Sequence, residues 1–320
     1  MKVKISLFLC LLLGLFLAAC GGGGGGSASV KKLLSRVATE GTGERTFLYD
    51  SKNRLIADSA LGEGNKIEYQ GNGTRPSLVT NGTPYPTKEV YDASGNSVLI
   101  PIVYVQYQYG SDNLDGATTS YSQIQSLNQD KTPIAPGIFY RYFLNSSDRV
   151  IAYGDYGAVA GSFYPSGFSL TPTYDKRGNL LKKTRSIILM GTIINTWEYT
   201  YDDKKSPASG MTMPVWWFDD GAHDSFATDR IPGNCGSTLG FIGTALSSDD
   251  ALADPNNPLS CVSTRRFRDA VLSRETETYS YTYDGDGYPT AVDVTRTVLD
   301  NEGNEKTTKY RKTFEYISAH

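Results

Sequence analysis

Tyr174-Asp175-Lys176-Arg177-Gly178-Asn179-Leu180 is the stretch on which the reading of this chain turns. An aspartate at the first position of a turn can accept hydrogen bonds from backbone N–H groups two residues on. Glycine, or asparagine at some cost, supplies the positive φ that tight hairpin loops demand. The leucine that follows opens a fresh apolar run. The same phrase stands at Tyr49-Asp50-Ser51-Lys52-Asn53-Arg54-Leu55 and at Tyr91-Asp92-Ala93-Ser94-Gly95-Asn96. Tyr283-Asp284-Gly285-Asp286-Gly287-Tyr288 and Leu299-Asp300-Asn301-Glu302-Gly303-Asn304 are variants, and Leu144-Asn145-Ser146-Ser147-Asp148-Arg149-Val150 is a copy without glycine.

Between these turns the chain alternates as strands do. Val103, Val105, Tyr107 and Tyr109 share one face against Tyr104, Gln106 and Gln108. Trp197, Tyr199 and Tyr201 oppose Glu198 and Thr200; Tyr279, Tyr281 and Tyr283 oppose Ser280 and Thr282. Near the end Tyr310, Phe314 and Tyr316 oppose Arg311, Thr313 and Glu315. A period of two with one wet face is the pattern of antiparallel sheet. The composition agrees, with 22 tyrosines punctuated by 33 glycines. The expected fold is all-β and single-domain: an antiparallel hairpin meander over residues 30–320 that forms a large curled or partly closed sheet. One stretch breaks it. Pro214-Val215-Trp216-Trp217-Phe218-Asp219-Asp220-Gly221 leads into a segment rich in Gly, Pro, Asn and Asp, read as a long inserted loop at about 219–262. Loops of this length in a domain usually carry function or lack order.

The N-terminus reads as an address. Lys2 and Lys4 precede the apolar run Ile5 to Phe16, and Leu17-Ala18-Ala19-Cys20 closes it with small residues. So short an apolar run with basic residues ahead of it is a secretory signal rather than a spanning helix. Leu-Ala-Ala-Cys resembles the lipobox of bacterial lipoproteins. The resemblance implies removal of residues 1–19 and acylation of Cys20, so that lipid and not a helix holds the protein on a bilayer. Gly21 to Gly26 and Ser27-Ala28-Ser29 then form a flexible tether, residues 20–29, of about 15–18 Å end to end.

The turn phrase resembles the YD repeat of RHS-type and teneurin-like proteins, in which hairpins coil into a β-shell. Thr200-Tyr201-Asp202-Asp203-Lys204-Lys205-Ser206-Pro207, taken with the lipobox, is similar to a group of Bacteroidetes lipoproteins that are single hairpin meanders of porin-like shape with no established activity. The resemblance implies the cell envelope, with the outer membrane as the expected address. It supplies no catalytic residue. The marker tyrosines are unevenly spaced, so no strict repeat is present.

Cysteine use fits an oxidising compartment. Cys10 leaves with the signal and Cys20 takes lipid, which leaves Cys235 and Cys261. A disulfide between them closes about 26 residues and constrains the unfolded chain by about 3–4 kcal/mol. The alternatives are two free thiols or half a metal site, and the chain has only 2 histidines. No metal and no cofactor is expected.

The formal net charge is −3 with no basic patch, which argues against nucleic acid as a partner. The tyrosine ladders could form the belts of a membrane barrel, but Lys, Arg, Glu and Thr on the opposite faces argue for a tethered body instead. His223 stands beside Asp219, Asp220 and Asp224, yet neither a Gly-x-Ser-x-Gly elbow nor a His-Glu-x-x-His motif is present. Asp219 with Asp220, or Asp284 with Asp286, could serve as the paired acids of a glycosidase-like hydrolase. Adjacent acids in Gly-rich turns are more commonly turn formers. Asp284-Gly285-Asp286-Gly287 lacks the further ligands of a calcium loop. Trp216 and Trp217 could stack on sugar rings, and with Asp219 and Asp220 they are the candidate ligand-binding residues. The expected function is non-catalytic, binding or scaffolding in the envelope. Carbohydrate or another envelope component is the expected partner besides the membrane. A carboxylate-dependent hydrolase at residues 219–224 and a purely structural envelope protein are the alternatives.

Overall fold

The computed structural model describes residues 31–209 and 255–320, apart from residues 42, 60–61, 84–86, 92–94, 115, 135–137, 147–149, 160–161, 166–167, 190 and 301. Lys31–His320 forms one compact unit. Its strands are β1 (Lys32–Thr39), β2 (Gly43–Tyr49), β3 (Leu55–Asp58), β4 (Lys66–Tyr69), β5 (Pro76–Thr80), β6 (Thr87–Tyr91), β7 (Ser97–Pro101), β8 (Tyr104–Leu114), β9 (Ala117–Leu127) and β10 (Ile138–Leu144). They continue as β11 (Val150–Val159), β12 (Ser162–Pro165), β13 (Phe168–Tyr174), β14 (Leu180–Leu189), β15 (Gly191–Lys205), β16 (Asn256–Phe267), β17 (Ala270–Tyr283), β18 (Pro289–Leu299) and β19 (Glu305–Ser318). The expected all-β antiparallel meander is what forms.

Seventeen of the strands make one sheet, and β6 and β7 make a separate ribbon. Nearly every strand pairs with its sequence neighbour, as hairpin turns require, and the meander then closes on itself. The first strand pairs with the last, Lys32 opposite Ser318 and Val37 opposite Phe314. The seam lies between β3 and β4. There the Asp58 N–H donates to Asn65 Oδ1 at 2.8 Å and the Tyr69 hydroxyl donates to the Leu55 carbonyl at 2.6 Å. Closure covers elsewhere the edges that make a flat sheet prone to pair with other chains, while among the described residues no backbone ladder joins β3 to β4.

Strand direction sorts the connections onto two rims. The N-terminal rim, where β1 begins, carries the turns after β2, β4, β8, β10, β13, β15 and β17. The opposite rim carries the remainder, with the β6–β7 ribbon in the β5–β8 connection.

Alternation fills the inner face. Phe47, Val105, Tyr107, Trp197, Tyr199, Tyr279, Val292, Val294 and Phe314 belong to one buried cluster. Their exposed neighbours, Glu198, Thr200, Ser280 and Thr313 among them, alternate with them. Each fully buried leucine or valine contributes about 1.5–3 kcal/mol. The tyrosines do two jobs. Their rings join this cluster, and their hydroxyls donate to carbonyls one strand back, close to the N-terminal rim. Tyr49 reaches the Leu34 carbonyl at 2.6 Å, Tyr109 reaches Pro76 at 2.8 Å, Tyr201 reaches Leu180 at 2.9 Å and Tyr316 reaches Pro289 at 2.7 Å. A buried tyrosine needs such a partner for its hydroxyl. Burial first, then neighbouring charge, pushes the Tyr49 and Tyr316 hydroxyls well above the ordinary tyrosine range.

One boundary differs from expectation. The inserted segment reaches only to Pro255, since β16 begins at Asn256 and pairs with β15. Cys261 therefore sits inside a strand, opposite Tyr199 and Glu277, and is fully buried. The physical reason is the run Cys261-Val262-Ser263-Thr264, which alternates and can face the core every second residue.

Candidate functional site

The N-terminal rim is built by repeated use of one turn. Asp175 N–H donates to the Asn179 carbonyl at 2.9 Å, and Gly178 N–H donates to the Asp175 carbonyl at 3.0 Å. Asp175 Oδ1 accepts from the N–H groups of Arg177 at 2.7 Å and Asn179 at 2.9 Å. The same four bonds recur at Asp50 and Asp284, and on the opposite rim at Asp300. The fourth residue of each turn has positive φ: Asn53 at 61°, Gly178 at 93°, Gly287 at 80° and Gly303 at 84°. A further copy, from Asn128 to Thr132 with Lys131 at 58°, was not singled out in the sequence. Its lead residue is asparagine, preceded by leucine instead of tyrosine, so only the turn's backbone geometry reveals it. Residues 92–94 and 147–149 of two other copies lie outside the described residues.

The turn bonds set the charge of these aspartates. At Asp175 and Asp50 partial burial pushes the carboxyl up, but hydrogen bonds from the turn outweigh it and hold both below the usual aspartate range. Asp300 is lowered chiefly by the Asn304 side chain. At Asp284 burial again opposes, and Lys32 with the turn N–H groups wins. The Lys32 ammonium lies 2.7 Å from Asp284 and 2.6 Å from Asp286. Those two acids therefore build a turn and hold the start of β1.

The foot of the inserted segment is clamped on this rim. Asn179, at the end of the Asp175 turn, donates from Nδ2 to Asn256 Oδ1 at 3.0 Å, and Asn256 N–H returns a bond to Asn179 Oδ1 at 3.1 Å. Asn256 Nδ2 reaches the Lys204 carbonyl at 2.8 Å. Next to it Asn257 N–H donates to Asp202 Oδ1 at 3.1 Å, and its side chain donates to the Lys205 carbonyl at 2.9 Å. The Tyr283 hydroxyl donates to Asp202 Oδ2. Burial and then that carboxylate push the Tyr283 hydroxyl up. Ser206 N–H meets the Pro255 carbonyl at 3.0 Å. The two ends of the excursion are thus fixed side by side.

Inside the ring lies a charged cluster that the sequence reading missed. Glu275 and Glu277 point inward from β17 and are almost fully buried. Arg296, across from Glu277 on β18, reaches Glu275 Oε2 at 2.8 Å, and its Nε lies 3.7 Å from Glu277 Oε1. The Tyr279 hydroxyl donates to Glu277. Burial, reinforced by Glu275, raises the Glu277 carboxyl above its usual range in spite of Tyr279 and Lys312. Arg45 and Asp58 form a second buried pair, with Arg45 Nε at 2.6 Å from Asp58 Oδ1. The signal was present in period two: Glu275 and Glu277 share the parity of Tyr279, Tyr281 and Tyr283.

Cys20, Trp216, Trp217, Asp219, Asp220, His223 and Cys235 lie outside the described residues. Among the described residues no group of His, Cys, Asp and Glu is placed to hold a metal ion. No helix among them is long and apolar enough to cross a membrane.

No family model and no curated protein matches this sequence. Among solved structures the chain is similar to a porin-like protein from Bacteroides vulgatus ATCC 8482. That match has a TM-score of 0.36 and 9% identity, and covers 89% of this chain and 99% of the other. It is also similar to a porin-like protein from Bacteroides uniformis ATCC 8492, with a TM-score of 0.40 and 13% identity over 90% of this chain and 96% of the other.

Proposed function

We propose that this chain is a bacterial envelope lipoprotein of the YD-repeat-like kind, moored through acylated Cys20 to the outer membrane. Its β-ring binds carbohydrate without transforming it. The ligand-binding residues in this reading are Trp216, Trp217, Asp219 and Asp220, on an excursion tied back to the sheet by a Cys235–Cys261 disulfide. The observation that carries the reading is the clamp formed by Asn179, Asp202, Asn256, Asn257 and Tyr283. It spends five polar side chains on holding the two feet of one long excursion. A flat aromatic side chain presented from a fixed base can cover the apolar face of a sugar, leaving its hydroxyls to nearby carboxylates. The described acids on the same rim are engaged in turns and in the bond to Lys32, which supports binding over hydrolysis.

The experiment is a screen of the purified mature chain against glycans and peptidoglycan fragments, with W216A and W217A beside it. The expected result is a glycan class retained by the wild type and lost by at least one tryptophan variant. Retention by neither protein, or turnover of the retained glycan, overturns the reading.

A further inference from the structure

We infer that the β6–β7 ribbon joins two copies of this chain, their β7 strands pairing antiparallel about a two-fold axis at Leu99. This goes beyond the proposed function and depends on neither its anchor nor its ligand. The first observation is backbone. Among the described residues β6 and β7 pair with each other alone, Thr87 opposite Pro101 and Tyr91 opposite Ser97. The ribbon stands in the β5–β8 connection, outside the closed sheet. The edges of that sheet are met: the first strand finds the last, and at the seam the Asp58–Asn65 and Tyr69–Leu55 bonds tie β3 to β4. A strand paired on one side presents N–H and C=O groups on the other, and Val98 to Ile100 offer them to a further extended strand. A two-stranded ribbon by itself is marginal in water, and added strands give it stability.

The second observation is where apolar surface and charge fall on the ribbon. Leu99 is 64% exposed and Val98 44%, on opposite faces of β7 by alternation. Leu99 is the most exposed large apolar side chain among the described residues. Ile100, on the face of Val98, packs against the core cluster, so β7 is held at its foot while its middle stands in solvent. The strand reads Ser97-Val98-Leu99-Ile100-Pro101 and carries no charge. Its partner β6 contains Lys88 and Glu89. Charged residues are the usual guard of an edge strand, and on this ribbon they stand on one strand and not on the other.

The third observation is that β7 fits itself. Laid antiparallel on its own sequence about Leu99, it sets Leu99 against Leu99 of the second copy and Val98 against Ile100. The central pairs are all apolar, and no like charges meet. Pro101, whose nitrogen cannot donate, falls at the end of the ladder. The product is a four-stranded sheet with the two β7 strands in the middle and the charged β6 strands outside. Such a pairing closes at two copies instead of growing into a fibre. Five residues a side bury less than the roughly 1,200–2,000 Å² of a stable complex, so the contact is weak and concentration-dependent.

The test is sedimentation velocity on the mature chain with C20S, which no acyl group can bring together, from low to high micromolar concentration. A monomer–dimer equilibrium is expected. Its association constant should fall about tenfold in L99K, where like charges would meet, with the circular dichroism spectrum unchanged. Amides of β7 that face away from β6 should exchange hydrogen fast in dilute protein and slowly in concentrated protein. L99C should form a covalent dimer under mild oxidation, because directly opposed residues lie within disulfide reach. V271C, exposed on another hairpin, should not. A monomer at every concentration overturns the inference, even where a different protein is found to pair with β7. So does a dimer that L99K leaves intact, or association that runs past two copies. Slow exchange of β7 in dilute protein also overturns it, since this chain would then cover its own edge.

Discussion

Replacing Asp175 by alanine removes the acceptor around which a rim turn is built. Two backbone N–H groups, of Arg177 and Asn179, lose the Oδ1 that lies 2.7 and 2.9 Å away, and Asn179 Nδ2 loses Oδ2 at 2.8 Å. The geometry parallels a helix N-cap, where the same truncation costs about 1–2 kcal/mol. Asn179 is buried and also holds Asn256, so D175A should stand at the upper end, near 2 kcal/mol. D175N keeps an oxygen acceptor and should cost about half as much. D300A perturbs an identical but exposed turn and should cost less than D175A. Urea unfolding followed by fluorescence reads all three. The charge adds a pH signature. Asp175 is lowered from the usual 3.8, so its contribution is complete above that value and disappears as pH falls through the folded value. The gap between wild type and D175N should therefore narrow below about pH 4. Equal costs for D175A and D300A, or a gap that does not change with pH, would refute the turn as the source of the stability.

Y316F removes the hydroxyl that reaches the Pro289 carbonyl at 2.7 Å, and should lower unfolding stability by about 0.5–1.5 kcal/mol with the circular dichroism spectrum intact. R45M leaves Asp58 buried without its guanidinium partner and should cost about 3–5 kcal/mol; the double variant R45M/D58L should recover most of that loss in a double-mutant cycle. Glu277 is raised above the usual 4.5, so its contribution is present below that value and lost as pH rises through the folded one. E277Q should therefore gain on wild type as the buffer moves from acid to neutral, read as the difference in urea midpoints across that range.

The turns were legible because their chemistry is local. An aspartate, two or three polar residues and a residue tolerant of positive φ specify five-residue geometry with no help from elsewhere, as Asp50, Asp175, Asp284 and Asp300 show. Strand faces were legible for the same reason, since period two needs only the sequence. Closure was not. Nothing in Lys32–Thr39 alone names Glu305–Ser318 as its partner; that pairing follows from the number and tilt of all the strands between them. The buried acids were missed because composition assigns glutamate to water, and only strand parity places Glu275 and Glu277 with the tyrosines. Asn256 and Asn257 were hidden inside what reads as a featureless loop. Their role depends on Asn179 and Asp202, far away in sequence and brought close by the ladders.

The pairing of the first strand with the last has a kinetic meaning. Lys32 cannot find Ser318 until the whole meander between them has been synthesised, so this is among the most non-local contacts the described residues make, and such contacts slow folding. A nascent chain that lacks β19 has no sequence able to seal the ring. Until then both outer strands expose unsatisfied backbone, the condition in which strand edges pair with other chains.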